Sequence, residues 1–327
     1  MRKIGRILLK GMICIGTIIL LSSCGKVENS QSEETVNNQL SDLDNDSKIK
    51  SSEFGEDVKN IVIPGIEKSY KLLVINDMHI VEESDTIPDK REEIKGRLDL
   101  FVDSEGRSSA ESWTILSNQI DSYNADAVLL AGDMVDFYSP ENLDCLKQGL
   151  NKINTSFIYL RADHDYGTWY YKEDKAVVKE KEEEIGDDQE ILIKEFPDFM
   201  VVGINNSTSQ MSEEGIRRLE EIWKISKPVI LLTHVPLNSR IDNGLSEESK
   251  LYWGDRALLW GEECYYEPDE NTSKFIDMVL QEDSPVVAVL SAHLHFPYTV
   301  NLNDSVVEYV FDASYKNTIG IVNITDE

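Results

Sequence analysis

Lys71-Leu72-Leu73-Val74-Ile75-Asn76-Asp77-Met78-His79 is an apolar run that ends in a carboxylate and an imidazole two residues apart. Its unbroken apolar character is that of a strand covered on both faces. Side chains at i and i+2 of a strand point the same way, so Asp77 and His79 can face one site. The same grammar recurs downstream. Residues 127–131 run into Gly132-Asp133-Met134-Val135-Asp136, where glycine lets the backbone turn sharply. Residues 157–161 run into Ala162-Asp163-His164-Asp165, Val229–Thr233 into His234, and Val286–Ser291 into Ala292-His293-Leu294-His295. All five histidines of the chain therefore sit at or just beyond the end of a predicted strand. One such histidine would be read first as a packed structural residue, but five of five is not a pattern that packing produces. Imidazoles and carboxylates converging at one sheet edge suit borderline divalent metals. The ends of strands at one edge are also where α/β sheets place their sites.

Working outward, strands are predicted at 199–204, 306–311 and 319–324, and helices at 111–123, 141–152, 213–225 and 272–281. In the third helix Ile216, Leu219, Ile222 and Trp223 share a face, Ser212 is a candidate N-cap and Pro228 lies just beyond the end. This alternation predicts a layered α/β domain. Two stretches read as insertions. Residues 172–195 are densely charged, a solvated helix or a mobile loop. Residues 241–271 carry Tyr252, Trp253, Trp260, Tyr265 and Tyr266, which could roof a pocket or pack as a satellite core.

The ordered set D-x-H, G-D-x-x-D, N-H-[DE], H and H-x-H, carried by Asp77 to His295, resembles the calcineurin-like metallophosphoesterase family over about residues 71–312. The resemblance implies a four-layer α/β sandwich, two mixed β-sheets flanked by helices. It further implies two divalent metal ions (Mn, Fe or Zn, with Mn favoured): Asp77, His79 and His295 on one, Asp163, His234 and His293 on the other, and Asp133 bridging. Two metals about 3.5–4 Å apart can share a hydroxide and neutralise the oxygens of a phosphate mono- or diester during in-line displacement. By the same resemblance His164 would serve as acid or hydrogen-bond donor to the leaving oxygen, with Asp165 orienting it. Asp136 reads as a residue that fixes its neighbours rather than as a ligand.

The chain departs from the family pattern at Asp163, where the family has asparagine, and at Ala162 and Ala292, where it has glycine. Alanine suffices for a tight turn unless positive φ is required. An ionised Asp163 removes one unit of positive charge from the metal pair, which weakens attraction for a phosphate dianion and holds metal more tightly. A catalytically silent, metal- or ligand-binding lipoprotein on the same fold is the alternative that this residue keeps open. Arg161, Arg107 and Arg240 could clamp a phosphate or be surface or salt-bridged arginines. Phe137 stands after Asp136 where the protein Ser/Thr phosphatase branch has arginine, which argues against a phosphoprotein substrate and leaves a small phosphate ester.

The 327 residues carry 61 Asp and Glu against 32 Lys and Arg, a formal charge of -29. Such a surface repels phosphate backbones and argues against a nucleic-acid partner. At the N-terminus, Arg2, Lys3, Arg6 and Lys10 precede a short apolar run over 11–21 and then Leu21-Ser22-Ser23-Cys24-Gly25. That is the form of a secretory signal, and its end resembles a bacterial lipobox. The expected organisation is a signal peptide over 1–23, a lipidated Cys24 with a flexible acidic tether over 24–68, and the catalytic domain over 69–327. Acylation of Cys24 would hold the protein to a cell membrane on its extracytoplasmic side. A plain signal peptide with a chance cysteine is the other reading. Cys145 and Cys264 remain, as one disulfide or as two free thiols.

Overall fold

Continuous apolar runs, each too short for a helix, form the centres of two sheets in the computed structural model, which describes residues 54–84, 87–186, 189–208 and 210–327. The expected signal peptide and Cys24 lie outside those residues. Eleven strands are present among the described residues: β1 (Gly55–Val62), β2 (Tyr70–Ile75), β3 (Ala127–Leu130), β4 (Phe157–Tyr159), β5 (Ile191–Glu195), β6 (Met200–Ile204), β7 (Val229–Thr233), β8 (Val286–Ser291), β9 (Tyr298–Asn301), β10 (Val307–Val310) and β11 (Thr318–Thr325). One mixed sheet has the order β1-β11-β2-β3-β4 and the other β5-β6-β7-β8-β10-β9. Strands β2, β3 and β4 are parallel neighbours, as are β7 and β8, so each sheet presents a row of strand C-terminal ends.

Alternation within the central strands divides the core into layers. Leu72 and Val74, with Ala127 and Leu129, meet Val201, Ile230, Leu232, Ala288 and Leu290 between the sheets. Leu73, Ile75, Val128 and Leu130 point the other way. They pack against α2 (Ser109–Gln119) and α3 (Pro140–Leu150) through Trp113, Leu116, Leu146 and Leu150. On the outer face of the second sheet, α5 (Glu213–Trp223) and α7 (Glu270–Leu280) bury Ile216, Leu219, Ile222, Phe275 and Val279. The result is the expected four-layer α/β sandwich. Helix starts follow capping chemistry. Ser212 Oγ accepts from Gly215 N at 2.9 Å. A reciprocal Ser108–Glu111 box begins α2 two residues before the predicted start.

One expectation is corrected and two open readings are decided. The tether expected to reach residue 68 does not: Gly55–Val62 is β1, hydrogen-bonded parallel to β11 over its whole length. Of the two readings of the charged insertion at 172–195 the helix is what forms, as α4 (Lys175–Glu183) with only Val178 and Glu182 buried, and it is followed by β5, which neither reading contained. In the aromatic insertion Trp260 is buried at 5.4 Å from Phe275 and packs as core, while Tyr252 and Trp253, at the end of α6 (Gly244–Trp253), and Tyr265 remain exposed. Cys145 and Cys264 are free thiols in clusters on opposite outer faces of the sandwich. No helix among the described residues is long and apolar enough to cross a membrane.

Candidate metal centre

Each of the predicted site residues follows the C-terminal end of a parallel strand, and the two sheets bring those ends together. The loop after β2 is laced to the loop after β3 by Asp77 N to Gly132 O at 3.0 Å and His79 N to Asp133 O at 2.9 Å. The loop after β8 joins that after β7 through Ala292 N to His234 O at 3.0 Å. His293 N donates to Asp77 Oδ2 at 3.0 Å, linking the two sheets. Five of the site residues hold positive φ: Asp77 (45°), His79 (45°), Asp133 (52°), His293 (70°) and His295 (55°). Each costs about 1 kcal/mol or more outside glycine, and such strain gathers at functional sites. Ala162 and Ala292 are not among the positive-φ residues, which explains why alanine suffices where the family has glycine.

Gly132 does need its freedom. It sits at φ 91°, and a Cβ there would lie 2.6 Å from His234 Nδ1 and 2.7 Å from Ala162 Cβ. A Gly132→Ala variant should lose about 2–3 kcal/mol of stability from strain and overpacking. A chemical-denaturation midpoint equal to that of the wild type would contradict this.

The ligand-capable atoms form three overlapping clusters: Asp77, His79 and His295; His79, Asp133 and His164; and Asp133, His234 and His293. Asp133 Oδ2 is 3.2 Å from His234 Nε2 and 3.8 Å from His79 Nε2, so one carboxylate oxygen faces both sides. His295 Nε2 lies 3.5 Å from Asp77 Oδ1, and His293 Nδ1 3.2 Å from His234 Nε2. His234 Nδ1 donates to Ala131 O at 2.8 Å, which fixes the tautomer and leaves Nε2 for the site. Asp163 belongs to none of the three clusters but stands beside them, near enough for its charge to act on His234 and His164.

The electrostatics call for positive charge. Burial opposes it, but the carboxylates of Asp133, Asp77 and Asp163 raise His234 to about 10. Burial also opposes protonation of His164, which Asp133 and Asp136 nonetheless raise to about 10. His79 and His293 are pushed down mainly by burial, to about 4 and about 3, and so present the neutral imidazole that binds metals. Burial and the charge of Asp133 raise the Asp163 carboxyl. Asp77 Oδ1 and Asp163 Oδ1 are buried without a hydrogen-bond partner among the described residues. Orphaned buried carboxylate oxygens among clustered imidazoles are what a cation would satisfy, and the donor set fits divalent ions.

The support of His164 falls to Asp136, which fixes its neighbours as read from the sequence, and not to Asp165. Asp165 does not orient His164. Its oxygens accept from the amides of Asp133, Met134, Val135 and Ala162 at 2.8–3.1 Å and from Tyr159 Oη at 2.7 Å, so it pins the loop that carries Asp133. The partner of His164 is Asp136: Nδ1 is 2.6 Å from the Asp136 carbonyl and 3.2 Å from Oδ1. Asp136 Oδ1 also meets His79 Nδ1 at 3.1 Å. Arg97, on α1 (Arg91–Leu100), clamps both Asp136 oxygens at 2.7 and 2.6 Å. Burial would raise Asp136, but the bonds from Arg97, His164 and His79 hold it well below the usual carboxylate range. Sequence reasoning missed Arg97. Its separation from the Asp136 that it clamps leaves no local pattern.

Arg161, Arg107 and Arg240 are engaged elsewhere. Arg161 is buried against Glu182, Arg107 pairs with Asp103 and Arg240 with Asp277. An aromatic rim surrounds the site. Trp169 packs on His164 at 4.9 Å, Trp253 on His295 at 5.7 Å and Tyr266 on His293 at 5.5 Å. Phe101 stacks on His79 at 4.3 Å.

Residues 70–297 match the family described as calcineurin-like phosphoesterase. The chain belongs to that family of metallophosphoesterases, and the cluster of Asp and His residues is a candidate metal centre. No curated protein sequence matches the chain. Among solved structures, a dimetal phosphatase from Danio rerio is 13% identical, with 76% of this chain and 88% of that chain covered at a TM-score of 0.48. A purple acid phosphatase from yellow lupin is 12% identical, with 76% and 45% covered at 0.46. The phosphopantetheinyl hydrolase of Mycobacterium tuberculosis is 12% identical, with 75% and 90% covered at 0.36.

Proposed function

We propose that the protein is a metal-dependent hydrolase of small phosphate mono- or diesters that works outside the cytoplasmic membrane on a lipid anchor at Cys24. The observation that carries the chemistry is the position of Asp133 Oδ2 between His234 Nε2 and His79 Nε2. In this reading Asp77, His79 and His295 hold one cation, Asp163, His234 and His293 the other, and Asp133 both; Mn²⁺ is favoured. Divalent ions held there supply Lewis acidity toward the phosphoryl oxygens and acidify water.

The chain's own residues do the rest. Asp136, clamped by Arg97, holds His79 and His164 in fixed orientations. With His164 Nδ1 engaged by the Asp136 carbonyl, Nε2 is left to donate to the leaving oxygen. Asp165 keeps the Asp133 loop in its strained conformation.

Elemental analysis of the purified protein should find about two transition-metal ions per chain. It should hydrolyse p-nitrophenyl phosphate or its bis ester with Mn²⁺ and lose that activity in EDTA. A folded protein that binds no metal and hydrolyses neither ester after Mn²⁺ addition would leave the silent binding role instead. The anchor has its own test. Cys24→Ser should move the protein from the membrane fraction to the medium or leave its signal uncleaved, and membrane fractionation unchanged after signal removal would refute the anchor.

A further inference from the structure

A cavity of about 640 Å³ opens beside Asp163, within the range that binds small organic ligands. Its wall includes Thr168, Trp169, Lys175, Lys179 and Ser207. Trp169, 53% exposed, lies 4.9 Å from the His164 ring, so the cavity adjoins the residue that faces the leaving oxygen. Lys175 and Lys179 project from the same face of α4, one turn apart. Lys175 has no hydrogen bond or ion pair among the described residues, whereas Lys179 already has a partner, and Ser207 Oγ is buried with none. Two acids line the wall: Asp163 stands at the metal-centre end, and Glu190 is already engaged by Ser212 N and Oγ, each at 2.6 Å. Two lysines turned into a cavity beside an acidic site, in a chain of formal charge -29, mark a place where an anion gains.

We propose that this cavity is the leaving-group subsite, and that it takes a phosphate ester whose leaving group carries a flat ring, stacked on Trp169, and a second anionic group, held by Lys175 and Lys179. The proposal rests on the phosphoesterase reading above and narrows its substrate class. Ring and anion sit on the departing fragment, so the subsite retains the alcohol product after the ester bond breaks.

Non-hydrolysable phosphonates test the subsite without turnover. Calorimetry on the Mn²⁺-loaded protein should find 4-carboxybenzylphosphonate, or its longer 4-(carboxyethyl) homologue, bound about tenfold tighter than benzylphosphonate. That ratio should fall to about one in Lys175→Ala/Lys179→Ala and persist in Lys175→Arg/Lys179→Arg, with melting temperatures showing that both variants fold. Trp169→Ala should weaken the benzyl compounds several-fold relative to methylphosphonate. No carboxylate advantage with either homologue, or an advantage that survives the double alanine variant, overturns the proposal. A protein that binds these phosphonates as expected yet hydrolyses no ester would sink the catalytic reading and leave the subsite standing.

Discussion

Asp133→Asn is expected to lower hydrolysis by about 10³ or more and to shrink the stabilisation that Mn²⁺ gives the fold. Asp133 is buried, its Oδ2 faces ligand groups on both sides, and its Oδ1 accepts from His164 N at 3.2 Å. Asparagine can keep that amide bond through its own Oδ1. It cannot supply the charge that cations held there would share, and several kcal/mol of electrostatic stabilisation would go with it. Without metal, burial opposes that charge, but His234 and His164 outweigh burial and hold the Asp133 carboxyl well below its usual range, so the metal-free variant should be somewhat less stable than the wild type at neutral pH. Thermal melting separates the two effects. Mn²⁺ should raise the melting temperature of the wild type through preferential binding to the folded state, and should raise that of the variant much less. A variant that takes up two ions and melts with an undiminished Mn²⁺ shift would remove Asp133 from the centre.

His164→Gln should divide substrates by leaving group. Hydrolysis of an alkyl phosphate should slow by about 10²–10⁴, the usual worth of positioned proton transfer, and that of p-nitrophenyl phosphate far less, because a good leaving group needs no proton. Metal content should be retained, since the imidazole is held through Nδ1 by Asp136 and carries no ligand role in the proposed set. Equal slowing of both esters, or loss of a metal ion, would make His164 a ligand. The cluster of His79, Asp133 and His164 makes that outcome a real competitor.

The central strands and the ligand-bearing loops were legible because burial on both faces writes itself as unbroken apolar runs. The three strands that sequence reading missed, β1, β5 and β9, all lie at sheet edges. An edge strand is half solvated, and polar residues there also discourage pairing with other chains. Gly-Glu-Asp-Val-Lys-Asn-Ile-Val accordingly looks like linker until its pairing with β11 is seen. The metal-centre residues were legible as a group because each follows a strand end, and β2–β3–β4 and β7–β8 are parallel. The general task of Asp136 was legible, but its hold on His164 and the task of Asp165 were not. Asp165 is read by backbone amides, which carry no sequence signature, and adjacency to His164 in the chain suggested a contact that the loop geometry denies. Arg97 was hidden for a related reason: its partner is brought to it by the packing of α1, not by spacing.

The position of β11 has a consequence for how the molecule comes into being. The last strand in chain order is inserted between the first two, with Ile324 opposite Tyr70 and Ile61 opposite Ile324 on the other side. Until residues 318–325 have been synthesised, β2 lacks one neighbour and β1 lacks any. The first sheet cannot close on a growing chain, and long-range pairing of this kind is slow and leaves strand edges exposed. Asp77 and His79, which follow β2, are thus among the first site residues made and among the last to be held in place. Acquisition of metal should therefore follow completion of the sheet rather than accompany synthesis.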